Sequence, residues 1–189
     1  MKRVLLTGMS GTGKSTVINE LAARGYKAVD TDDHWLSEWV AVPLDEPTGP
    51  GPGQDWVWRE DRIQQLLSTD DAEVLFLSGC SPNQGRFYPQ FDHIVLLTAP
   101  AAVLVARLAN RTTNPYGKHP AEVARVLALQ QTVEPLLRAG AGLEVDTNAP
   151  LDQVLATVLR LVQPPPAIQP EWLPLLGAED MDGRSVGGR

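Results

Sequence analysis

Eight consecutive residues, Gly8-Met9-Ser10-Gly11-Thr12-Gly13-Lys14-Ser15, fit the pattern G-x-x-x-x-G-K-[ST] in full. Glycines let successive backbone N–H groups curl round an anion without Cβ clashes, and a helix starting at the end of the run adds its partial positive charge. Lys14 supplies a mobile cation for the β- and γ-phosphates of a nucleotide, and the Ser15 hydroxyl is a hard oxygen ligand for Mg2+. Gly8, Ser10, Gly11, Thr12, Gly13, Lys14, Ser15 and Thr16 are therefore the expected nucleotide-binding residues, with ATP and Mg2+ as the implied ligands. A chance Gly-rich turn would spell the same letters. Against it stand Val4-Leu5-Leu6, which reads as a buried strand just before, and Val17, Ile18, Leu21 and Ala22, which recur at helical spacing just after.

A second group of chemically able residues follows at Asp30-Thr31-Asp32-Asp33, directly after the strand-like Lys27-Ala28-Val29. Ligands of open α/β sheets bind at the carboxyl ends of the strands, so these carboxylates should face the phosphates. One, Asp30, suits Mg2+ through water, and another, Asp32, suits the proton of an acceptor hydroxyl. Helix N-capping would use Asp32 or Thr31 equally well, and Asp33 fits a structural or solvated place.

Three further stretches have the composition of a site. Four of the five Trp (Trp35, Trp39, Trp56, Trp58) fall within 24 residues, with four Pro and three Gly between Val42 and Gly53. Trp35 and Trp39 are spaced to share a helix face, and Trp56 and Trp58 flank the start of a helix expected over Asp55–Leu67, with Arg59 and Arg62 adjacent. Aromatic walls with a guanidinium would suit a flat or sugar-like acceptor bearing an anionic group, although some of these Trp also suit an ordinary core. Ser81-Pro82-Asn83-Gln84-Gly85-Arg86 follows a third strand, where Asn83 could read a hydrogen-bond edge and Arg86 a phosphate; a plain turn with a solvated Arg has the same letters. Arg107, Arg111 and Lys118 bracket Thr112-Thr113-Asn114-Pro115-Tyr116-Gly117, a flexible cationic stretch of the kind that closes over phosphates. Arg111 is the expected stabiliser of transition-state charge and Arg107 a further nucleotide contact, unless each simply ends a helix.

The elements that must position these residues alternate strand and helix, the pattern of a parallel sheet covered on both faces. Strands are expected at Val4–Leu6, Lys27–Val29, Val74–Leu77, Ile94–Leu97 and Leu143–Val145. Helices are expected at Lys14–Arg24 (ended by Gly25), Ala101–Asn110, Ala121–Leu137 with a break near Pro135, and Leu151–Val162. This predicts a three-layer α/β/α domain over 1–163 with a five-stranded parallel sheet, an acceptor-binding insert at about 31–62 and a lid at about 111–120. A Pro- and Gly-rich tail occupies 164–189. His34, His93 and His119 have no metal spacing, and Cys80 reads as a small core residue.

With GMSGTGKST and Val29-Asp30-Thr31-Asp32 on the page, the chain resembles shikimate kinase and its relatives among small-molecule P-loop kinases, including gluconate, adenylate and cytidylate kinases. Phe76-Leu77-Ser78-Gly79-Cys80 is similar to a strand followed by a glycine triplet in that family. Val95–Leu108 resembles the strand and helix before its lid; Glu134-Pro135-Leu136-Leu137 and Val145–Pro150 resemble its late helix and adenine-side loop. The resemblance implies a P-loop kinase fold and transfer of the γ-phosphate of Mg-ATP to a hydroxyl or phosphate of a small molecule. It further implies that Asp30 assists Mg2+, that Asp32 binds or deprotonates the acceptor, and that Arg59 and Gly79 belong to the acceptor site. It is incomplete where Val133 stands in place of a carboxylate-binding Arg and Asn114 in place of a lid Arg, which points to an acceptor other than shikimate. A nucleoside or nucleotide kinase shares the same motifs, and an ATP-binding regulator without acceptor would keep the P-loop alone. A GTP switch is excluded by the want of N-K-x-D, and the D-x-x-G of Asp180–Gly183 lies in the tail.

Charge and composition bound the rest. A formal charge of −7 leaves no basic stripe for nucleic acid, and no apolar run approaches the ~18 residues of a membrane span. A single Cys fits a reducing, cytoplasmic setting without disulfides. A monomer or homodimer is expected.

Overall fold

Five short runs of Val, Leu, Ile and Phe make one parallel sheet in a computed structural model, which describes residues 1–43, 53–112 and 114–163. In chain order the elements are β1 (Lys2–Thr7), α1 (Lys14–Ala23), β2 (Lys27–Asp30), β3 (Ser37–Ala41), β4 (Gln54–Trp58), α2 (Glu60–Ser68), β5 (Val74–Ser78), β6 (His93–Thr98), α3 (Ala101–Asn110), α4 (Pro120–Thr132), α5 (Glu134–Gly140), β7 (Leu143–Asp146) and α6 (Leu151–Arg160). The sheet order is β2-β5-β1-β6-β7, with every neighbouring pair parallel, so β1 sits at the centre and the chain reverses direction of winding beside it.

Such strands are apolar throughout because both faces are covered. Val4 and Leu6 face one layer, where Val17, Ile18 and Leu21 of α1 meet Val154, Leu155 and Val158 of α6. Leu5, Leu75 and Leu77 face the other, packing on Ile63 and Leu67 of α2 and on Trp58 and Phe87. A smaller cluster of Met9, Leu96 and Leu137 extends that second layer toward α4 and α5. Gly25, at φ 88°, ends α1 in the left-handed conformation that glycine adopts without strain.

The five expected strands and the three-layer plan are present, and the long helix is broken as its proline suggested: α4 stops at Thr132, and α5 restarts at Glu134 with Pro135 in its first turn. Two expectations are corrected. Trp35 and Trp39 do not share a helix. Asp33 accepts the Trp35 N–H on its side chain (2.6 Å) and the Leu36 and Ser37 N–H groups on its carbonyl (3.0 and 2.9 Å), closing a single turn that passes straight into β3. Nor is Asp55 helical: residues 54–58 form β4, antiparallel to β3 with Trp39 opposite Trp56 and Ser37 opposite Trp58, and α2 starts only at Glu60. The physical reason is that Trp and Val, aromatic and β-branched, fit a pleated surface better than a helix. The expected insert at 31–62 is thus a β-hairpin on a turn. Its residues 44–52, like Thr113 of the lid and the tail 164–189, lie outside the described residues.

Candidate active site

β1 ends at Thr7, and the chain turns through three left-handed glycines: Gly8 (φ 147°), Gly11 (φ 88°) and Gly13 (φ 90°). A Cβ on Gly8 would lie 2.2 Å from the Leu97 carbonyl oxygen, so only glycine lets the loop leave β1 against β6. Gly13 caps α1, whose first N–H groups open onto the loop. Thr12 is buried and donates to the Met9 carbonyl (2.8 Å), and Lys14 Nζ donates to the carbonyls of Gly8 (2.7 Å) and Met9 (3.2 Å), across the mouth of the loop.

Two flanking arginines complete the cradle. Arg107 bonds the Gly11 carbonyl (3.3 Å) and clamps Thr147 beyond β7 through its hydroxyl (2.9 Å) and carbonyl (2.7 Å), tying the P-loop to the next strand's end. Arg111 donates to Ser10 Oγ (3.3 Å) and to the Tyr116 carbonyl; its Nε is buried with no hydrogen-bond partner among the described residues, a donor left over beside the loop. Loss of hydration holds Arg111 below the usual guanidinium range, with Asp32 as the largest opposing influence.

The carboxylates lie where strand β2 ends. Ser15 Oγ donates to Asp30 Oδ2 (2.9 Å), which brings a hydroxyl and a carboxylate together beside the loop. These are hard oxygen donors of the kind that suits Mg2+. Asp32 is open to the cavity yet ringed by protein. Burial is the strongest influence on its carboxyl and raises its pKa; Lys14 opposes this, Asp30 adds to it and Arg111 opposes it. Thr16, next on α1, is exposed.

Beyond Asp32 opens a cavity of about 780 Å³, within the range of small-molecule sites. Its floor is Met9, Ser10, Lys14 and Asp32; one wall is the hairpin's Trp39 and Trp56, and the facing wall is Val126, Leu129, Val133, Leu136 and Leu137 from α4 and α5. Trp56 is the centre of the aromatic wall, 5.0 Å from Trp39 and edge-on to His34 at 4.9 Å between centroids. Tyr88 and Gln84 line the same side; Gln84 is buried and fixed by the Thr7 hydroxyl (3.1 Å) and the Tyr88 hydroxyl (3.1 Å). Cys80 also lines it, and burial pushes its thiol up, so the thiol stays protonated at neutral pH.

Several residues expected at the acceptor are used elsewhere. Trp35 is exposed on the far side of the turn, under the Arg62 guanidinium at 3.9 Å. Arg59 pairs with Glu38 (3.1 Å) and donates to the His34 carbonyl (3.3 Å). Asn83 holds the hairpin: its side chain accepts from the Trp58 N–H (3.1 Å) and donates to the Trp58 carbonyl (2.9 Å). Arg86 pairs with Glu60 on the surface. Gly79 is buried against Thr31 and Trp58, where an added Cβ would lie 1.9 Å from Thr31 Oγ1. None of these five lines the cavity. In sequence they stood close to the right elements, but side-chain direction and nearby acidic partners turned them away. Tyr88 and the apolar wall of α4 and α5 stand outside the residues expected at the site; Trp56 is among them, and the period-2 spacing of Trp56 and Trp58 is the signal for the strand that carries it.

The stretch expected to act as a lid joins α3 to α4. Lys118 Nζ donates to the Ala109 carbonyl (2.7 Å) at the end of α3, and the Glu122 carboxylate accepts three backbone N–H groups, from Gly117 (2.7 Å), Lys118 (3.1 Å) and His119 (3.2 Å). Those bonds, above all the one from His119, hold Glu122 below the usual carboxylate range. The lid thus presents Asn114, Pro115 and Tyr116 to the cavity, while Lys118 is spent on the backbone.

A family model described as an AAA domain matches residues 4–128. Among solved structures, shikimate kinase from Bacteroides thetaiotaomicron is similar with a TM-score of 0.59 at 17% identity, covering 85% of this chain and 98% of that one. Shikimate kinase from Acinetobacter baumannii, in complex with shikimate, gives 0.56 at 20%, covering 86% and 93%. A sugar kinase from Janibacter sp. HTCC2649 gives 0.53 at 22%, covering 86% and 94%. No curated protein matches the sequence. At these identities the structural likeness is one of fold.

Proposed function

The chain belongs to the AAA domain family and has the fold of small-molecule P-loop kinases, and from that premise we propose that it transfers the γ-phosphate of ATP to a hydroxyl of a small-molecule acceptor. The observation that carries this reading is the junction: the phosphate loop opens directly onto a small-molecule cavity lined by Asp32 and Lys14, with Arg111 held on Ser10 of the loop and near enough to act on the charge of Asp32.

In this reading the loop N–H groups and Lys14 hold the β- and γ-phosphates, and Arg107 keeps the loop's shape. Ser15, with Asp30 through water, would hold Mg2+, which supplies charge neutralisation on the phosphates. Asp32 orients the acceptor hydroxyl and takes its proton as the oxygen–phosphorus bond forms and the bond to the ADP oxygen breaks. Lys14 and Arg111 offset the charge that moves onto the transferring group and the leaving oxygen. The raised pKa of Asp32 brings the base closer to the pH at which it works.

The test is ADP release from Mg-ATP against a panel of neutral alcohols, sugars, nucleosides, nucleotides and hydroxy acids. One acceptor class is expected to stimulate it, with Asp32→Asn lowering that turnover roughly 10²- to 10⁴-fold while nucleotide binding persists. The acid limb of kcat/KM is expected above the ordinary aspartate value of 3.8, since turnover requires the ionised carboxylate. Unchanged turnover in Asp32→Asn removes its role; no stimulation by any acceptor returns the chain to a nucleotide-binding regulator.

A further inference from the structure

The anionic acceptor expected from the Trp- and Arg-rich insert is not what the cavity is built to hold. Lys14, part of the phosphate loop, is the only Lys or Arg lining it among the described residues. The three arginines that follow the hairpin are engaged outside: Arg59 on Glu38, Arg62 over Trp35 and Arg86 on Glu60. The charged side chains that do line the cavity beyond the loop are Asp32 and Asp55.

Most of the remaining surface is apolar. Trp39 and Trp56 form one wall and the Val133–Leu137 turn of α5 the other, with Leu136 70% exposed at the rim. Away from Lys14 of the loop, an anionic substituent in this cavity would lose water without meeting a Lys or Arg among the described lining residues; the His34 imidazole, edge-on to Trp56, is the one other nitrogen base there. A ring laid against Trp56 loses little and gains stacking and burial.

We infer that the acceptor is a bulky, ring-bodied alcohol carrying no anionic group, its body held between the Trp39–Trp56 wall and the Val133–Leu137 wall and its hydroxyl at Asp32. This deepens the phosphotransferase reading and rests on it.

A matched pair of probes tests it by calorimetry on the full chain: 2-naphthalenemethanol, and 6-(hydroxymethyl)-2-naphthoate, which adds only a carboxylate. The neutral alcohol is expected to bind about tenfold or more tightly than the carboxylate. Trp56→Ala should cost the neutral probe about tenfold in affinity, and Val133→Arg should improve the carboxylate probe by about as much; melting curves of both variants establish that they fold. Equal or tighter binding of the carboxylate by the unaltered chain, or binding of neither probe, overturns the inference. A Mg-ATP thermal shift measured on the same protein separates the two readings: its absence sinks phosphotransfer, whatever the naphthalene pair shows about the cavity.

Discussion

The two halves of the site are made of different material. The nucleotide half is backbone: three left-handed glycines, a helix start and carbonyls gathered by Lys14 and Arg107 within one turn of chain. The acceptor half is side chain: Trp39 and Trp56 from a hairpin, Tyr88 from the turn after β5, Tyr116 from the lid and Val133 to Leu137 from α5. In the proposed function the backbone would take what nucleotides share, a phosphate, and the side chains what distinguishes one acceptor from another.

The comparison breaks most sharply at Lys14. Lys14→Ala is expected to abolish thermal stabilisation by Mg-ATP and to lower turnover roughly 10³-fold, while affinity for a neutral aryl alcohol stays within twofold. A loss of both affinities would mean that the halves are not separable.

Gly79→Ala strikes the acceptor half. Thr31 Oγ1 bonds the Ser78 carbonyl (2.9 Å) and receives the Trp58 indole N–H (2.9 Å), and the new methyl would enter that junction. A loss of about 1–3 kcal/mol in denaturant unfolding is expected, with weaker acceptor binding. Unchanged stability would show that the hairpin adjusts independently of β5.

Asp32 lies between the halves, and its charge works against folding. Its folded carboxyl holds the proton more tightly than the unfolded one, so its contribution to stability is fully present below 3.8 and is lost as pH rises through the raised folded value. At neutral pH Asp32→Asn should therefore leave Tm unchanged or higher even as turnover falls; a marked drop in Tm would show that its attraction to Lys14 and Arg111 outweighs its lost hydration.

The smallest effect belongs to Arg86. Its pair with Glu60 is exposed, so Arg86→Ala should change stability by less than about 0.5 kcal/mol and leave acceptor KM unaltered. A raised KM would return Arg86 to the acceptor site and sharpen the boundary between the halves.

How far each half was legible follows from the same contrast. The P-loop, the Ser15–Asp30 pair, Asp32 and Arg111 were singled out by type and position, and the structure brings them together. Trp35, Arg59, Asn83 and Arg86 were chosen on composition and stand on the right elements, yet each is turned to another partner. A helix read through Asp55 hid the strand that aims Trp56 into the cavity.

What the sequence by itself determined is the local chemistry of consecutive residues. Glycines in series admit left-handed turns, a Lys and a Ser follow at fixed offsets, and alternating apolar strands and helices point to a parallel sheet covered on both faces. What only the tertiary structure decided is the acceptor's wall and its charge. An Arg is an anion site or a surface pair according to which carboxylate lies within reach, and Glu38 and Glu60 reach Arg59 and Arg86 only once the hairpin, α2 and the turn after β5 are packed together. Residues far apart in the chain meet there, and spacing along the sequence carries no measure of that meeting.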